Sequence, residues 1–430
     1  MKANFVSKFT KAAFLLGALA AVSTPTLVEA ASTDANSFTL YSNKSETQKA
    51  LTEYAAAWGE ANGVTVNVKV CSGACTLADQ LKADFTAGDG PDVFVIEGQS
   101  GYDMWKDTLQ PLTGAWIDQT EFEFKQGEEV YGFPIAVEGY GLAYNKTLLE
   151  KAGIDPATLT SFEAVKAAFE DLESRKEELG LTTVVATATK EGETWIMGIH
   201  DFNAYLGAGL ANGDRSVVEK FVNGEVDEER LAKYADWVEL QFNHTDKQML
   251  TVGTQEDMDI AFAQGQAAFL HQGSWKDPNL KELEADFEMG FIPYQSLGAE
   301  VDGDGLFIGP PSYYVVNKDT AATENIIKFF DDMVATPEGQ EYMVNKANMI
   351  SAYSSTEAQP STPLSVAISE WVSEGKNVYS FDNPYFMPDG FGMNNLGPIY
   401  GQFAQGNIDK AQFIELIKAE VAKVPELLAQ

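Results

Sequence analysis

Two periodicities alternate along the chain after its first thirty residues. Ser37 to Ser42 reads as a short strand, and Leu51, Tyr54, Ala55 and Trp58 then recur at helical spacing. Ser45 with Gln48 three residues on predicts a capping box for that helix, and Gly63 a left-handed stop. Val64, Val66, Val68 and Val70 alternate with other residues along a second strand. Thr76 and Asp79 open another helix with Leu77, Leu81 and Phe85 inward. A turn at Gly88 to Pro91 then leads into a buried strand, Val93 to Ile96. Strands alternating with helices predict an α/β architecture built on mostly parallel sheets.

The stretch VYGFPIAVEGYGLAYNKTLLEKAGI, from Val130 to Ile154, breaks this simple reading. It is apolar enough for an interior strand, yet Glu138 stands inside it among glycines and tyrosines. Burying an unpaired carboxylate is expensive. Either the chain bends at the surface there, or it crosses an open cleft and shows Glu138 to something polar. Beyond this point Thr160 and Glu163 predict a cap for a helix carrying Phe162, Val165, Phe169 and Leu172, and LTTVVATAT is rich in β-formers. Helical spacing returns over Val217 to Phe242 and Gln255 to Ala263. SYYVVNK, Ser312 to Lys318, is a further strand, followed by a helix marked by Ile326, Phe330 and Met333. Thr336 is placed to cap a helix that begins at Pro337. Ser354 to Pro363 is the most linker-like segment. The last helix is capped by Asp409 and Gln412, with Phe413, Leu416, Ile417 and Val421 inward.

The first thirty residues have a different character. Lys2, Lys8 and Lys11 precede the apolar run Ala12 to Val22, and Val28 and Ala30 stand at cleavage positions, the pattern of a secretory signal peptide. The run falls well short of the roughly 20 apolar residues that cross a bilayer. No cysteine stands at the cleavage position to take a lipid, so a soluble periplasmic protein is expected, with release to the outside as the second reading, and a monomer is expected. About 400 residues remain, enough for two or three domains.

Charge and cysteine content narrow the partners. The 430 residues carry a formal charge of −35; the leader's three lysines against Glu29 make it +2, leaving −37 on the remainder. Such a chain is a poor match for nucleic acid or anionic membrane surfaces, whose phosphates need Lys and Arg. The excess is silent about a neutral solute and is mostly explained as a solvated acidic surface. Cys71 and Cys75 are the two cysteines, and in an oxidising compartment they are expected to close a small disulfide. A redox pair usually has two intervening residues rather than three.

Enzyme chemistry finds little to stand on. Glycoside hydrolysis needs two facing carboxylates about 5 to 9.5 Å apart, but with 64 acidic residues some pair will always qualify. No G-x-S-x-G, H-E-x-x-H or G-x-x-x-x-G-K-[ST] motif occurs. His200, His244 and His271 are widely spaced, and no metal or cofactor is expected. EVDGDG, residues 300–305, starts like a calcium loop but lacks the later ligand positions. A surface adhesin would show repeats or an anchor, and the sequence shows neither.

Five passages in order then resemble one family. YGFPIAVEGYGLAYNKTLLEKAGI, LYSNKSETQKALTEYAAAWGEANGVTVNV, AGDGPDVFVIE, AFAQGQAAFLHQGSW and PSYYVVNKDTAATENIIKFFDDMVATPEGQEYM are similar to the extracellular solute-binding proteins that feed ABC importers of sugars, most of all the maltose-binding type. They run from about Phe38 towards the C-terminus. The resemblance implies two α/β lobes, residues 31–137 with 311–350 and residues 138–310 with 351–430, joined by crossing segments near Ala136 to Gly141, Ile308 to Pro311 and Met349 to Ser354. It also implies a carbohydrate, an oligosaccharide, held between the lobes and handed to membrane permease subunits, without catalysis. Hinge closure on the ligand would accompany capture.

The residues offered to such a ligand follow from its chemistry. Sugars present hydroxyls to carboxylates, amides and lysines, and apolar C–H faces to flat rings. Asn43, Lys44, Glu97 and Gln99 follow strands, where open α/β sheets bind ligands; the alternative for Asn43 and Lys44 is a polar turn. Glu138 would lie at the cleft floor with Tyr140 as a wall. Trp275, after Gly273-Ser274, matches a family tryptophan, the alternative being core packing. Trp195, Asp201 and Tyr205 in WIMGIHDFNAYLGAG, and Tyr385, Asp389 and Phe391 in NPYFMPDGFGM, complete the set. Maltose-binding relatives carry a tryptophan in the last stretch and this chain does not, which argues against a maltodextrin. An acidic cleft around Glu97 and Glu138 also suits a cationic solute such as an amino sugar or polyamine.

Overall fold

The computed structural model describes residues 32–71, 77–294 and 305–429. The leader, Cys75, Thr76 and most of EVDGDG therefore lie outside the described residues. The chain first lays down β1 (Ser37–Ser42), β2 (Thr65–Val70), β3 (Val93–Ile96), β4 (Phe124–Gln126) and β5 (Glu129–Pro134). It then crosses to a second sheet for β6 (Glu138–Asn145), β7 (Thr183–Ala186), β8 (Ala267–Gly273), β9 (Met289–Ile292) and β10 (Gly305–Gly309). β11 (Tyr313–Val316) returns to the first sheet, and β12 (Asn377–Ser380) belongs to the second. The sheet orders are β2-β1-β3-β11-β5-β4 and β12-β10-β6-β8-β7, with β9 also paired to β6.

Two lobes with helix-flanked sheets are as expected, but the sheets are mixed rather than mostly parallel. β1 runs parallel to β2 and β3, β10 to β12, and β7 to β8. The remaining pairs are antiparallel, including β11 with β5 and β10 with β6. The cause is the route of the chain. It leaves the first lobe through β5 to β6 and comes back beside that path through β10 to β11, so neighbours on both sides of the crossing run in opposite directions. A third crossing lies alongside, where Val137 N donates to Ile350 O at 2.9 Å and Tyr353 OH to Pro134 O at 2.7 Å.

In the first lobe α1 (Gln48–Asn62) turns Leu51, Tyr54, Ala55 and Trp58 inward. Trp58 and Phe38 pack edge-on against Phe329 from the helix Thr323–Ala335. α2 (Leu77–Ala87) and α3 (Gly98–Trp105) flank β3. The caps at Asp409 with Gln412 and at Thr336 before Pro337 form as the sequence indicates. The box at Ser45 does not: Ser45–Thr47 coil into a 3-10 turn before α1, away from the extended N-cap geometry a capping hydroxyl needs. Ser161 caps the next helix of the pattern rather than Thr160, accepting from Ala164 N at 3.1 Å. Leu416 is exposed, one turn round from the buried Phe413 and Ile417.

β6 explains its own glycines. Every residue in it except Tyr144 is buried, because β8 lies along one edge and β10 and β9 share the other. A Cβ on Gly141 would come within 2.4 Å of Ile292 O and 2.8 Å of Leu306 Cδ2. Gly141→Ala is therefore expected to lower stability by about 1–3 kcal/mol through overpacking, seen as a lower Tm by calorimetry. An unchanged Tm would show that β9 is not seated on β6 in this way.

Candidate functional site

Loops after the strands of the first lobe bring a charged group to the crossing. Lys44, just past β1, places Nζ 2.5 Å from Oε1 of Glu138, the first residue of β6. Both side chains are largely shielded, at 13% and 10% exposed. Asn43 Nδ2 donates to Glu97 Oε1 at 3.0 Å, tying the loop after β1 to the end of β3. Burial alone would lower the Lys44 ammonium, but Glu138, Glu46 and Glu97 overcome it and hold the group above its ordinary range. Burial also pushes the Glu46 and Glu97 carboxyls up, with Lys44 pulling against it. One cation thus faces three shielded carboxylates. Such a group is costly unless donors reach it, and a hydroxyl-bearing or cationic solute supplies them.

A narrow cavity of about 20 Å³ lies between this group and the second lobe, lined by Lys44, Glu46, Glu138, Trp275, Asn348 and Ile350 among others. That is room for a water or two, so a larger solute can enter only when the two lobes stand further apart. Trp275 is the second residue after β8, in a 3-10 turn, half-buried, with Nε1 donating to Gln272 Oε1 at 2.9 Å. The hydroxyl of Ser274 accepts from Gly139 N at 3.2 Å and fixes that turn to β6. Buried Asn43 Oδ1, Gln272 Nε2 and Asn348 Oδ1 have no hydrogen-bond partner among the described residues. The lobes also meet at Gly98, whose positive φ of 54° opens α3 and whose missing Cβ leaves room for Tyr385.

The sequence candidates separate into those the structure gathers and those it does not. Lys44, Glu138 and Trp275 line the cavity, with Asn43 and Glu97 joined beside it. Tyr140 is fully buried behind Trp275, its ring stacked on Phe307 at 5.1 Å and its hydroxyl accepting from Asn203 Nδ2. It backs the wall rather than forming its surface. Gln99 points along α3 and bonds Asp103 and Gln126. Asp389 sits at the rim, 3.6 Å from Lys82 of the other lobe. Tyr205 and Phe391 belong to the core of the second lobe. Tyr205 is sealed beside Phe202 with its hydroxyl accepting from Asp227 N, and Phe391 packs edge-on to Phe221. Asp201 is likewise internal, accepting from Tyr234, Trp237 and Gln241.

Two residues of the cavity lining were missed by sequence reasoning, and a third lies behind it. Glu46 falls between Ser45 and Gln48 and was not singled out. Asn348 carries φ 53°, a left-handed state that asparagine tolerates better than other side chains, and its place one residue before the expected third crossing was the available signal. His200 lies among Tyr140, Trp195, Trp275 and Phe381 because a π-turn, Ile196–Asp201, interrupts the local helix, which helical spacing does not reveal.

Residues 53–370 match the bacterial extracellular solute-binding protein family. The chain belongs to that family. This solute-binding protein is 26% identical over 375 residues to the maltooligosaccharide ABC transporter solute-binding lipoprotein of Streptococcus pneumoniae, covering 82% of each chain. Among solved structures, a sugar transporter of Bacillus licheniformis in complex with stachyose superposes with a TM-score of 0.72 at 18% identity, covering 90% of this chain and all (100%) of that one. The solute-binding protein RafE in complex with raffinose gives 0.68 at 17%, covering 90% and 99%. At such identities the two structures speak to the fold.

Behind the aromatic wall the solute-binding protein keeps a polar core. His271 places Nε2 3.8 Å from Asp201 Oδ1 and Nδ1 3.4 Å from Thr187 Oγ1. Burial lowers its imidazole to about 3, whereas the unfolded chain titrates near 6.5. The unfolded state therefore binds the extra proton first, so this contribution is full above pH 6.5 and is lost as pH falls towards 3. Asp201, pushed up to about 6 by burial, acts in the opposite sense between about pH 6 and 4. His271→Gln should flatten the acid-side loss of stability, by about 2 kcal/mol between pH 6.5 and 5. Urea unfolding at the two pH values checks this; equal slopes in both proteins would mean that His271 is not buried neutral.

Proposed function

We propose that the protein captures a carbohydrate, an oligosaccharide, between its lobes and delivers it to the membrane subunits of an ABC importer, acting as a monomer and without chemistry of its own. The observation that carries this reading is the pairing of opposite walls across one cavity. Lys44, Glu46 and Glu138 face it with charge, and Trp275 faces it with a ring. Sugar hydroxyls answer the first wall and the C–H face of the ring answers the second. A micromolar site needs about −8 kcal/mol. A handful of hydrogen bonds at about 0.5–1.5 kcal/mol each plus one or two stacked rings suffice after ordering costs.

The names of the relatives point the same way, to maltooligosaccharide, stachyose and raffinose. Two carboxylates of the cleft are engaged, Glu138 by Lys44 and Glu97 by Asn43, which favours binding over hydrolysis. Residues 31–137 with 311–350 and 138–310 with 351–430 are proposed as the lobes, consistent with the sheet that each strand joins. Residues 1–30 are proposed as a cleavable leader to the periplasm. Cys71, buried at the end of β2, is proposed to pair with Cys75; no cysteine among the described residues is free. A second reading, a cationic solute, draws on the excess of Glu46, Glu97 and Glu138 over Lys44.

Calorimetry with maltotriose, raffinose, stachyose and spermidine decides between them. Heat is expected from at least one glycan and none from spermidine; the reverse would establish the cationic reading, and glycan cleavage would establish an enzyme. Trp275→Ala should weaken glycan binding at least about tenfold, with Tm nearly unchanged. A large fall in Tm would instead make Trp275 a packing residue.

A further inference from the structure

Among the described residues two side chains other than glycine sit on a left-handed backbone, Glu284 with φ 56° and Asn348 with φ 53°. Glu284 is exposed, just past a short helix. Asn348 instead stands at the third crossing and lines the cavity between the lobes. Its backbone is held from both sides. Met349 N donates to Met343 O at 2.9 Å and turns the chain back after the π-turn Glu341–Lys346, while Ile350 O accepts from Val137 N at 2.9 Å. Ser365 Oγ, on the helix Pro363–Ser373, donates to Asn348 O at 3.5 Å. Glycine adopts such a conformation at no steric cost, so the turn by itself does not call for a side chain. Asparagine is usually found there because its amide bonds to nearby backbone. Asn348 Oδ1 makes no such bond: it is buried and has no hydrogen-bond partner among the described residues.

The other groups of the cavity leave that oxygen without a donor. Lys44 is engaged with Glu138, and the carboxylates of Glu46 and Glu138 are acceptors like Oδ1 itself. A sheltered acceptor among acceptors needs a donor from outside the protein. The two other unpartnered amides of this region already have a second task, since Gln272 holds the indole of Trp275 and Asn43 is tied to Glu97. We propose that Asn348 is a ligand-contacting residue at the crossing, its side-chain Oδ1 accepting a hydrogen bond from a hydroxyl of the bound glycan. This rests on the carbohydrate reading above. The contact selects for a hydroxyl at that point of the sugar, because a group without a donor leaves the oxygen sheltered and unsatisfied. With about 20 Å³ between the lobes here, it belongs to a form in which they stand further apart. A residue at the crossing is displaced less by such a swing than residues out on either lobe.

Titration calorimetry with maltotriose, raffinose and stachyose tests this, in wild type and in Asn348→Gly, Asn348→Ala and Asn348→Asp, with Tm measured for each protein. Glycine removes the oxygen and suits the backbone, so Asn348→Gly should keep or raise Tm while binding glycan about three- to tenfold more weakly. Alanine removes the oxygen but is strained at this φ, so Asn348→Ala should lower Tm and weaken binding to the same extent as glycine. Asn348→Asp keeps an acceptor in place and should bind within about twofold of wild type. Affinity should therefore follow the oxygen and not the stability of the fold. Weak binding by Asn348→Gly alone, with Asn348→Ala like wild type, would make the residue a stiffener of the crossing and overturn the proposal. It is equally overturned if all three variants bind like wild type, or if all three are weakened alike; each of these results leaves the carbohydrate reading intact. No heat from any of the three glycans with wild type overturns both.

Discussion

The structure depends on one constraint of chain routing. The backbone leaves the first lobe between β5 and β6 and returns between β10 and β11, and the two passages lie side by side. Their neighbours in both sheets must then be antiparallel, and the outer strands are left to pair in parallel through helical crossovers. The third crossing joins them through the Val137 to Ile350 hydrogen bond. Three narrow connections allow the lobes to swing while each lobe keeps its own sheet and helices, the arrangement in which hinge motion costs little.

Glu138 stands where that crossing begins, and its position accounts for much of the local sequence. It opens a strand that has neighbours on both edges, so the flanking residues must be apolar or too small to clash, as Gly139 and Gly141 are. The carboxylate itself escapes burial unpaired because Lys44 reaches it from the other lobe. The ion pair is thus also a contact between lobes. It is surrounded by further acid, Glu46 and Glu97, so that the cleft holds more carboxyl groups than its one lysine can pair. Hydroxyl donors arriving with a solute relieve that imbalance without a change in the protein's own charges.

The second wall is built on different principles. Trp275 is held by its own turn, by Gln272 and by the Ser274 link to β6, and behind it Tyr140, Phe307 and Phe381 form a packed aromatic layer. A rigid ring in front of a rigid layer has little freedom left to lose when a flat face covers it. Deeper still, Asp201, His271 and the Tyr234–Tyr400 pair make a hydrogen-bonded interior, with the two tyrosine hydroxyls 2.5 Å apart. Polar groups at that depth are tolerated because most are mutually satisfied.

Sequence alone determined the strand–helix alternation up to β3, the strand β11 with the helix after it, the family resemblance later matched over residues 53–370, and Lys44, Glu138 and Trp275 as candidates that the fold brings to one cavity. Those properties are local: apolar spacing sets an element, and a charge inside an apolar run flags an exposed or paired position. The antiparallel pairings, the retreat of Tyr205, Phe391 and Tyr140 into the interior, and the arrival of Glu46, Asn348 and His200 were decided by tertiary structure. Whether an aromatic side chain faces solvent or core depends on a rotation of a fraction of a helical turn, and a single π-turn at Ile196–Asp201 was enough to set His200 among Tyr140, Trp195 and Trp275 and Asp201 in the interior. Sequence spacing carries no record of such a rotation, because it is fixed by what packs against the helix from distant parts of the chain.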